Sequence, residues 1–257
     1  MTARLAGRRV FVTGGGSGIG AAVAHRVAAE GAAVAVTDAR KEAAESVAES
    51  VRAEGGTAVA LHCDVADEQS VASAVEAAAL QLSGLDGIVT CAGITRAGLA
   101  HELTLDDWDI AIRVNLTGTF LPLRATIPHL LQADGGSIVT VGSVASLVAP
   151  NFNTPAYEAS KGGVLQLTRS IALGYAELGI RANCLCPGVV STGLAANTAT
   201  LHGTIRVPTR SDAIEATPMG RKAAPGEMAT VVAFLLSDEA SFMTGAAVAA
   251  DGGLTAH

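Results

Sequence analysis

The chain has 257 residues, 49% of them hydrophobic, and a formal net charge of −7 at neutral pH. This length fits one large α/β domain, and the acidic balance without any basic stretch argues against nucleic-acid binding. No apolar run approaches the roughly 18 residues of a membrane span, and the N-terminus lacks a signal-peptide pattern, so we expect a soluble cytoplasmic protein.

The cysteines and histidines do not indicate a metal centre. Four cysteines, at positions 63, 91, 184 and 186, form neither a CxxC motif nor a disulfide framework, which suits a reducing compartment. Six histidines are scattered without ligand spacing to any cysteine. We therefore expect no metal, and a zinc-dependent alcohol dehydrogenase is not favoured.

A strand, a glycine loop and a helix open the chain. The apolar residues Val10 to Val12 predict a buried parallel strand, and an alanine-rich helix is predicted to run to about Glu30. Between them lie Gly14, Gly18 and Gly20, in a Gly-x-x-x-Gly-x-Gly spacing that departs from the standard dinucleotide fingerprint. Backbone without side chains can approach a pyrophosphate closely, and a helix N-terminus favours its charge. The alternative is a tight turn without a ligand.

The end of the second predicted strand bears on the choice of cofactor. This strand spans residues 33–37 and stops at Asp38, whose carboxylate can accept both ribose hydroxyls of adenosine and would repel a 2′-phosphate. Arg40 and Lys41 argue the other way, because a cation here can hold NADP. We expect NAD to be preferred over NADP, since Asp38 occupies the strand end itself.

The same alternation of strands and helices continues along the chain. Further strands are predicted at 57–62, 87–90, 137–141, 180–186 and 245–250, and helices at about 41–54, 68–82, 106–114, 117–131, 157–178 and 227–236. This order predicts an α/β fold, a single doubly wound Rossmann-type domain with a parallel sheet of about seven strands and helices on both faces. Asp64 and the turn at 90–93 follow strand ends, where such sheets bind ligands, although Asp64 could equally be a turn residue.

Two irregular segments interrupt this pattern. Asn115 breaks an otherwise helical stretch, where it could release a backbone carbonyl or hold a water. From about residue 193 to 225 the periodicity fades, and a loop of this length inside a compact domain is usually a functional lid. Arg206 and Arg210 in this segment could bind an acidic substrate group, or could be solvated cations.

Tyr157 and Lys161 form the candidate chemical centre. They lie four residues apart, so a helix places them on one face with the ammonium able to approach the phenol oxygen. A free phenol has a pKa near ~10 and is a poor base at neutral pH. A neighbouring cation favours the phenolate, so we expect Lys161 to lower the pKa of Tyr157 into a useful range for acid/base catalysis.

A resemblance to a known family is carried by the glycine loop and by Asn115, Ser143, Tyr157, Lys161 and the pair Pro187-Gly188. From Thr13 to Gly253 the chain resembles the short-chain dehydrogenase/reductase family. The resemblance implies that Tyr157 is the acid/base on the substrate oxygen and that Ser143 hydrogen-bonds this oxygen. It also implies that Lys161 holds the nicotinamide ribose and that Asn115 positions a water for proton relay.

The resemblance further implies a set of cofactor-binding residues. At the adenosine end the implied residues are Asp38 at the ribose and Asp64 and Val65 at the adenine. At the pyrophosphate they are Thr13, Gly14, Ser17, Gly18, Ile19 and Gly20. At the nicotinamide end they are Ala92, Gly93, Tyr157, Lys161, Pro187, Gly188, Val190 and Thr192. It also implies a homotetramer, with the helices at 117–131 and 157–178 in one interface.

Two positions depart from the family's pattern. Thr90 and Cys91 stand where an Asn-Asn pair is usual, so a stabilising asparagine is absent. Ser143 lies fourteen residues before Tyr157, where thirteen is more usual, which makes Ser146 a rival for the serine role. We assign the role to Ser143 because it directly follows a strand end.

The predicted function is reversible hydride transfer between NAD and a secondary alcohol or ketone, with Tyr157 as the acid/base. One alternative is reduction of a 3-oxoacyl thioester with NADPH, against which Asp38 argues. The other is a non-catalytic dinucleotide-binding regulator, which would not need the acid/base group.

Overall fold

The structure is a computed structural model that describes residues 3–150, 153–194 and 217–256. Its seven strands are β1 (Arg9–Thr13), β2 (Ala33–Asp38), β3 (Thr57–His62), β4 (Gly87–Thr90), β5 (Gly136–Val141), β6 (Ile180–Pro187) and β7 (Ala247–Ala250). They form one sheet in the order β3-β2-β1-β4-β5-β6-β7, and every neighbouring pair is parallel. This confirms the predicted doubly wound sheet.

The described residues contain seven α-helices. They are α1 (Gly18–Ala29), α2 (Lys41–Ala53), α3 (Glu68–Leu82), α4 (Leu105–Ile112), α5 (Gly118–Gln132), α6 (Pro155–Tyr175) and α7 (Pro225–Leu236). Short 3-10 turns cover Val144–Ser146, Ala176–Leu178 and Asp238–Ala240. None of the helices described is long and apolar enough to cross a membrane.

Alternating strand residues divide the core between the two faces of the sheet. Val10 and Val12 of β1 pack with the buried sides of α1, α2 and α7, whereas Phe11 between them packs with α3, α5 and α6. Successive side chains of a strand point to opposite faces, so a strand covered by helices on both faces must be apolar throughout. This accounts for the unbroken apolar run that the sequence shows there.

Helices α4 and α5 are joined without a loop. The sequence predicted a break at Asn115, but residues Arg113–Thr117 form a π-helical turn that continues directly into α5. A π turn contains one residue more than an α-helical turn. Within it the carbonyl of Asn115 accepts a hydrogen bond of 2.7 Å from the hydroxyl of Thr119.

Several boundaries differ slightly from the predicted ones. Helix α6 begins at Pro155 rather than 157, and α7 begins at Pro225 rather than 227, because proline is well suited to the first turn of a helix. Strand β7 begins at Ala247 rather than 245, since Gly245 has a positive φ of 73° that a strand does not accommodate.

The topology places the binding crevice at one end of the sheet. The chain winds from β1 outward to β3 and then returns to the other side of β1 with β4, so the order reverses between β1 and β4. Ligands of such sheets bind outside the carboxyl ends of the strands at this reversal. Most of the predicted lid, residues 195–216 with Arg206 and Arg210, lies outside the described residues, as do 151 and 152.

Candidate active site

A cleft of about 570 Å³ lies at the carboxyl ends of the strands. All of the predicted cofactor-binding residues except Thr13 line it, namely Gly14, Ser17, Gly18, Ile19, Gly20, Asp38, Asp64, Val65, Ala92, Gly93, Tyr157, Lys161, Pro187, Gly188, Val190 and Thr192. Ser143 lines it as well. Thr13 is fully buried, and its hydroxyl accepts a long bond of 3.4 Å from the backbone N–H of Ala92.

The glycine loop packs against the end of β4 without room for side chains. A Cβ on Gly14, whose φ is +61°, would lie 2.7 Å from the amide nitrogen of Ala92. A Cβ on Gly20 would lie 2.1 Å from the carbonyl oxygen of Gly14. The loop therefore brings the N-terminus of α1 into the cleft, where the first amide groups of a helix have no intrahelical partner and favour an anion.

Asp38 is fixed by the glycine loop and by the next turn. Its Oδ2 accepts from the N–H of Gly16 at 3.1 Å, and its Oδ1 accepts from the N–H of Arg40 at 3.0 Å. The Arg40 guanidinium Nε also lies 3.5 Å from Oδ1. Asp38 and Arg40 both line the cleft, so the carboxylate and the cation that the sequence set against each other face the same site.

The sequence left open whether Asp64 is a ligand-binding residue or a turn residue, and its position is compatible with both. Its Oδ1 accepts from the N–H of Ala66 at 2.9 Å, and its own N–H donates to the hydroxyl of Ser70 at 3.0 Å, so it shapes the turn after β3. It also lines the cleft beside Val65.

Helix α6 places Tyr157 and Lys161 in the cleft together. The Nζ of Lys161 lies 5.8 Å from the centroid of the Tyr157 ring and donates to the carbonyl of Val141 at 2.7 Å. The Lys161 side chain is almost completely buried. The last carbonyl of β5 thus holds the ammonium on the face of the helix that carries the phenol.

The acid/base properties of this pair differ from the expectation. In the protein alone, burial raises the pKa of the Tyr157 phenol above its ordinary value, and a hydrogen bond with Ser143 opposes this. Burial also lowers the pKa of Lys161. The predicted lowering of the Tyr157 pKa by Lys161 is therefore wrong for the protein alone, because loss of solvent around the phenol outweighs the neighbouring groups.

Asn115 is completely buried behind the cleft. Its Oδ1 accepts from the N–H of Ile94 at 2.8 Å, and its Nδ2 donates to the carbonyl of Ile94 and to the hydroxyl of Ser160, both at 3.0 Å. Ser160 in turn donates to the carbonyl of Tyr157 at 2.7 Å. These bonds connect the turn after β4 to the first turn of α6.

The two candidate serines have separate positions. Ser143 lines the cleft, interacts with Tyr157 in the direction that lowers the pKa of its phenol, and accepts from the N–H of Ala145 at 3.1 Å. Ser146 does not line the cleft, and its hydroxyl donates to the carbonyl of Lys161 at 2.7 Å. The geometry accordingly favours Ser143 for contact with a substrate.

Sequence reasoning missed several residues that line the cleft. They are Ala39, His62, Cys63, Asp67, Ser70, Val114, Val141 and Gly142. The lining residues Arg40, Cys91, Gly193 and Leu194 lie in segments that the sequence had already placed near the site. Most of the missed residues directly follow a strand or flank a predicted residue, so the rule that strand ends meet at one edge could have found them. Ser160 carries no comparable signal, because its role depends on contact with Asn115.

The two cysteines that line the cleft, Cys63 and Cys91, are not reactive thiols, and the described residues offer no metal cluster. They contain no group of three or more His, Cys, Asp or Glu side chains able to hold a metal ion. The four cysteines are free. Burial raises the pKa of Cys63 and of Cys91 to about 12, so both thiols are protonated at neutral pH.

The sequence matches known proteins over almost its whole length. The family model described as enoyl-(acyl carrier protein) reductase matches residues 14–255. The chain is 39% identical to 2-(S)-hydroxypropyl-CoM dehydrogenase 3 of Xanthobacter autotrophicus, over 100% of both chains. It is 40% identical to D-threitol dehydrogenase of Mycolicibacterium smegmatis, over 98% of this chain and 94% of that one.

The fold is similar to solved structures of the same class. A short-chain type dehydrogenase/reductase from Mycobacterium marinum superposes with a TM-score of 0.90 at 31% identity, covering 98% of this chain and 97% of that one. The similarity therefore extends over the sheet and the cleft alike.

Proposed function

This chain belongs to the short-chain dehydrogenase/reductase family, and we propose that it transfers a hydride between NAD(H) and a secondary alcohol or ketone. Its relatives are named as dehydrogenases, which makes it an NAD(P)-dependent alcohol dehydrogenase. NAD as the preferred cofactor and the roles of the individual side chains are our proposal.

One observation carries this proposal. The phenol of Tyr157, the hydroxyl of Ser143 and the ammonium of Lys161 lie in the same cleft as the glycine loop and Asp38. An acid/base group in the same cleft as an orienting hydroxyl, beside a site for a dinucleotide, is what proton transfer coupled to hydride transfer requires. A binding module would not need this arrangement.

The residues divide the chemistry of alcohol oxidation between them. A bound nicotinamide dinucleotide supplies the hydride acceptor. Ser143 hydrogen-bonds the substrate oxygen, and Tyr157 in its phenolate form accepts the hydroxyl proton. Lys161 stabilises the phenolate, which it must do against the burial that raises the pKa of Tyr157. In ketone reduction the protonated phenol returns the proton.

The cleft also fits the proposed cofactor. The crowded Gly14 and Gly20 leave only backbone at the N-terminus of α1, which suits a pyrophosphate. Asp38 at the end of β2 is positioned to accept hydrogen bonds from ribose hydroxyls and to repel a 2′-phosphate. Arg40 lines the same site, so we expect NADP to be a weaker cofactor that is still used.

In this proposal Asn115 acts by holding the residues around it in place. Its carboxamide holds the turn at Ile94 on one side and Ser160 on the other. We propose that this frame positions a water for proton relay from Tyr157 and Lys161.

The names of the relatives favour alcohols over thioesters. Both relatives are named as dehydrogenases, of hydroxypropyl-CoM and of D-threitol, and neither name refers to a 3-oxoacyl thioester. Together with Asp38, this makes the NADPH-dependent thioester reductase the less favoured reading. A non-catalytic regulator is not favoured either.

We further propose one catalytic domain, a cytoplasmic location and a homotetramer. Exposed apolar side chains on α4, α5 and α6 support self-association, since Leu105 is 73% exposed, Phe120 42% and Leu173 86%. Size-exclusion chromatography with light scattering gives the mass in solution, and a monomer at micromolar concentration would contradict the tetramer.

The test of the activity is a panel of secondary alcohols and ketones assayed with NAD(H) and with NADP(H). We expect NAD-dependent oxidation of at least one secondary alcohol, with a higher kcat/KM for NAD than for NADP. A panel of 3-oxoacyl thioesters with NADPH is the matched comparison. Turnover of thioesters alone would overturn the proposed substrate class.

A further inference from the structure

The hydroxyl of Ser146 connects the two parts of the proposed catalytic centre. It donates to the carbonyl of Lys161 at 2.7 Å and accepts from the backbone N–H of Ser143 at 3.2 Å. A hydroxyl has one proton to donate and can also accept, so these two bonds occupy its donor and one acceptor site. A single atom thus joins the turn that carries Ser143 to the helix that carries Tyr157 and Lys161.

The local backbone is arranged to allow this contact. In the 3-10 turn Val144–Ser146 the Ser143 hydroxyl accepts from the N–H of Ala145, while the Ser146 hydroxyl accepts from the N–H of Ser143. A Cβ on Gly142 would lie 2.8 Å from the Ser146 oxygen. Glycine at 142 therefore leaves the space in which this hydroxyl approaches the end of β5.

The contacts close into a ring around the reacting groups. Ser143 lies in the cleft with Tyr157 and opposes the rise in the pKa of its phenol, and the Nζ of Lys161, on the same helix as Tyr157, lies 5.8 Å from the centroid of the Tyr157 ring. Ser146 completes the ring by joining the backbone of Ser143 to the backbone of Lys161. Displacement of either backbone changes the alignment of the Ser143 hydroxyl with the phenol.

We infer that Ser146 is a positioning residue that keeps Ser143 aligned with Tyr157 for proton transfer. The inference rests on the proposed function, because it assumes that Tyr157 is the acid/base. Ser146 itself touches neither the substrate nor the cofactor, since it does not line the cleft. Its effect is expected on proton transfer and not on cofactor binding.

The first measurement does not depend on any substrate. The chain has two tyrosines, so in a Tyr175→Phe background the ultraviolet absorbance of tyrosinate reports on Tyr157 alone. Ser146→Ala is expected to raise the pKa of Tyr157, because the interaction with Ser143 that opposes its rise is weakened. Ser146→Thr retains the hydroxyl and is expected to restore the original value.

Ser137→Ala is the matched control. Ser137 lies on β5, the strand that precedes Ser143 and Ser146, is buried, donates to the carbonyl of Leu235 at 2.9 Å, and does not line the cleft. Its loss is expected to affect stability without moving the pKa of Tyr157. If Ser146→Ala leaves this pKa unchanged, or if Ser137→Ala moves it equally, the positioning role is refuted.

The second measurement is kinetic. Ser146→Ala is expected to lower kcat for alcohol oxidation about tenfold, with the Kd for NAD unchanged. If the wild-type chain oxidises no alcohol, the proposed function fails, while the titration still decides the role of Ser146. If the wild type is active and Ser146→Ala retains full kcat, only the positioning role is lost.

Discussion

The two halves of the sheet, on either side of the β1–β4 reversal, form their parts of the cleft by different means. Around β1 and β2 the site consists of backbone, with Gly14 and Gly20 too crowded for a Cβ and Asp38 held by the N–H of Gly16. Around β5 and α6 it consists of side chains held by hydrogen bonds, as in the bonds from Lys161 to the carbonyl of Val141 and from Asn115 to Ser160.

This difference teaches where each half is sensitive. The glycine half, around β1 and β2, depends on close packing of backbone, so adding one carbon should weaken cofactor binding there. The catalytic half, around β5 and α6, depends on hydrogen bonds, so removing one oxygen should lower turnover while the shape of the cleft remains. Binding and turnover should consequently respond to different substitutions.

The largest effect is expected from removal of one oxygen in the catalytic half. Tyr157→Phe should lower kcat about 10²- to 10⁴-fold, the usual contribution of a general acid/base group, because no phenolate can form. The Kd for NAD, measured by titration calorimetry, should be unchanged. Full turnover by this variant would remove Tyr157 from the mechanism.

The next effect is expected at the adenosine end of the glycine half. Asp38→Asn keeps the size of the side chain but removes the charge that disfavours a 2′-phosphate. The ratio of kcat/KM for NAD to that for NADP should fall about 10- to 100-fold, since hydrogen bonds to charged groups contribute ~1.5–3 kcal/mol. Arg40→Ala should move the same ratio in the opposite direction. An unchanged ratio in Asp38→Asn would show that Asp38 does not select the cofactor.

Adding one carbon to the glycine loop tests the role of space. In Gly20→Ala the new methyl group would meet the Gly14 carbonyl at 2.1 Å, so the loop must shift. Overpacking costs ~1–3 kcal/mol, so we expect the Kd for NAD to rise about 10- to 100-fold.

Gly174→Ala is the control for this substitution. It lies within α6, where an added Cβ meets nothing within 4 Å, and helix propensity favours alanine. This variant should bind NAD normally and melt at the same or a higher temperature. Equal NAD affinity in the two variants would contradict the crowding argument.

The smallest effect is expected in the pH dependence. The interaction with Ser143 opposes the rise in the Tyr157 pKa, so Ser143→Ala should raise that pKa further. Oxidation requires the phenolate, so its rate increases with pH up to the pKa of Tyr157, and a higher pKa moves the rise to more alkaline pH. Tyrosinate absorbance in the Tyr175→Phe background measures the shift directly. A pKa that falls in Ser143→Ala would reverse the assigned direction.

The sequence was most informative where geometry is local. Strand runs such as Val10 to Val12 and the spacing of Gly14 and Gly20 can be read from neighbouring residues, so the fold and the glycine loop could be predicted. Tyr157 and Lys161 could be paired because helical spacing places them on one face.

What could not be predicted depends on contacts between distant residues. Ser160 bonds to Asn115, 45 positions earlier, and no spacing rule indicates that contact. The pKa of Tyr157 depends on how completely the folded chain removes water from the phenol, which the neighbouring Lys161 does not reveal. Arg40 could be recognised as a cation near Asp38, but its position inside the cleft required coordinates.

The π turn at Arg113–Thr117 has a consequence for how α4 and α5 face the rest of the molecule. Adjacent residues of an α-helix are about 100° apart around its axis, so one additional residue rotates everything after it by that angle. The rotation lets two helices joined end to end face different neighbours, with α4 against α6 and α5 against α3. Asn115 lies within this turn and bonds to Ile94, so a one-residue deletion just before it should rotate its carboxamide away from Ile94.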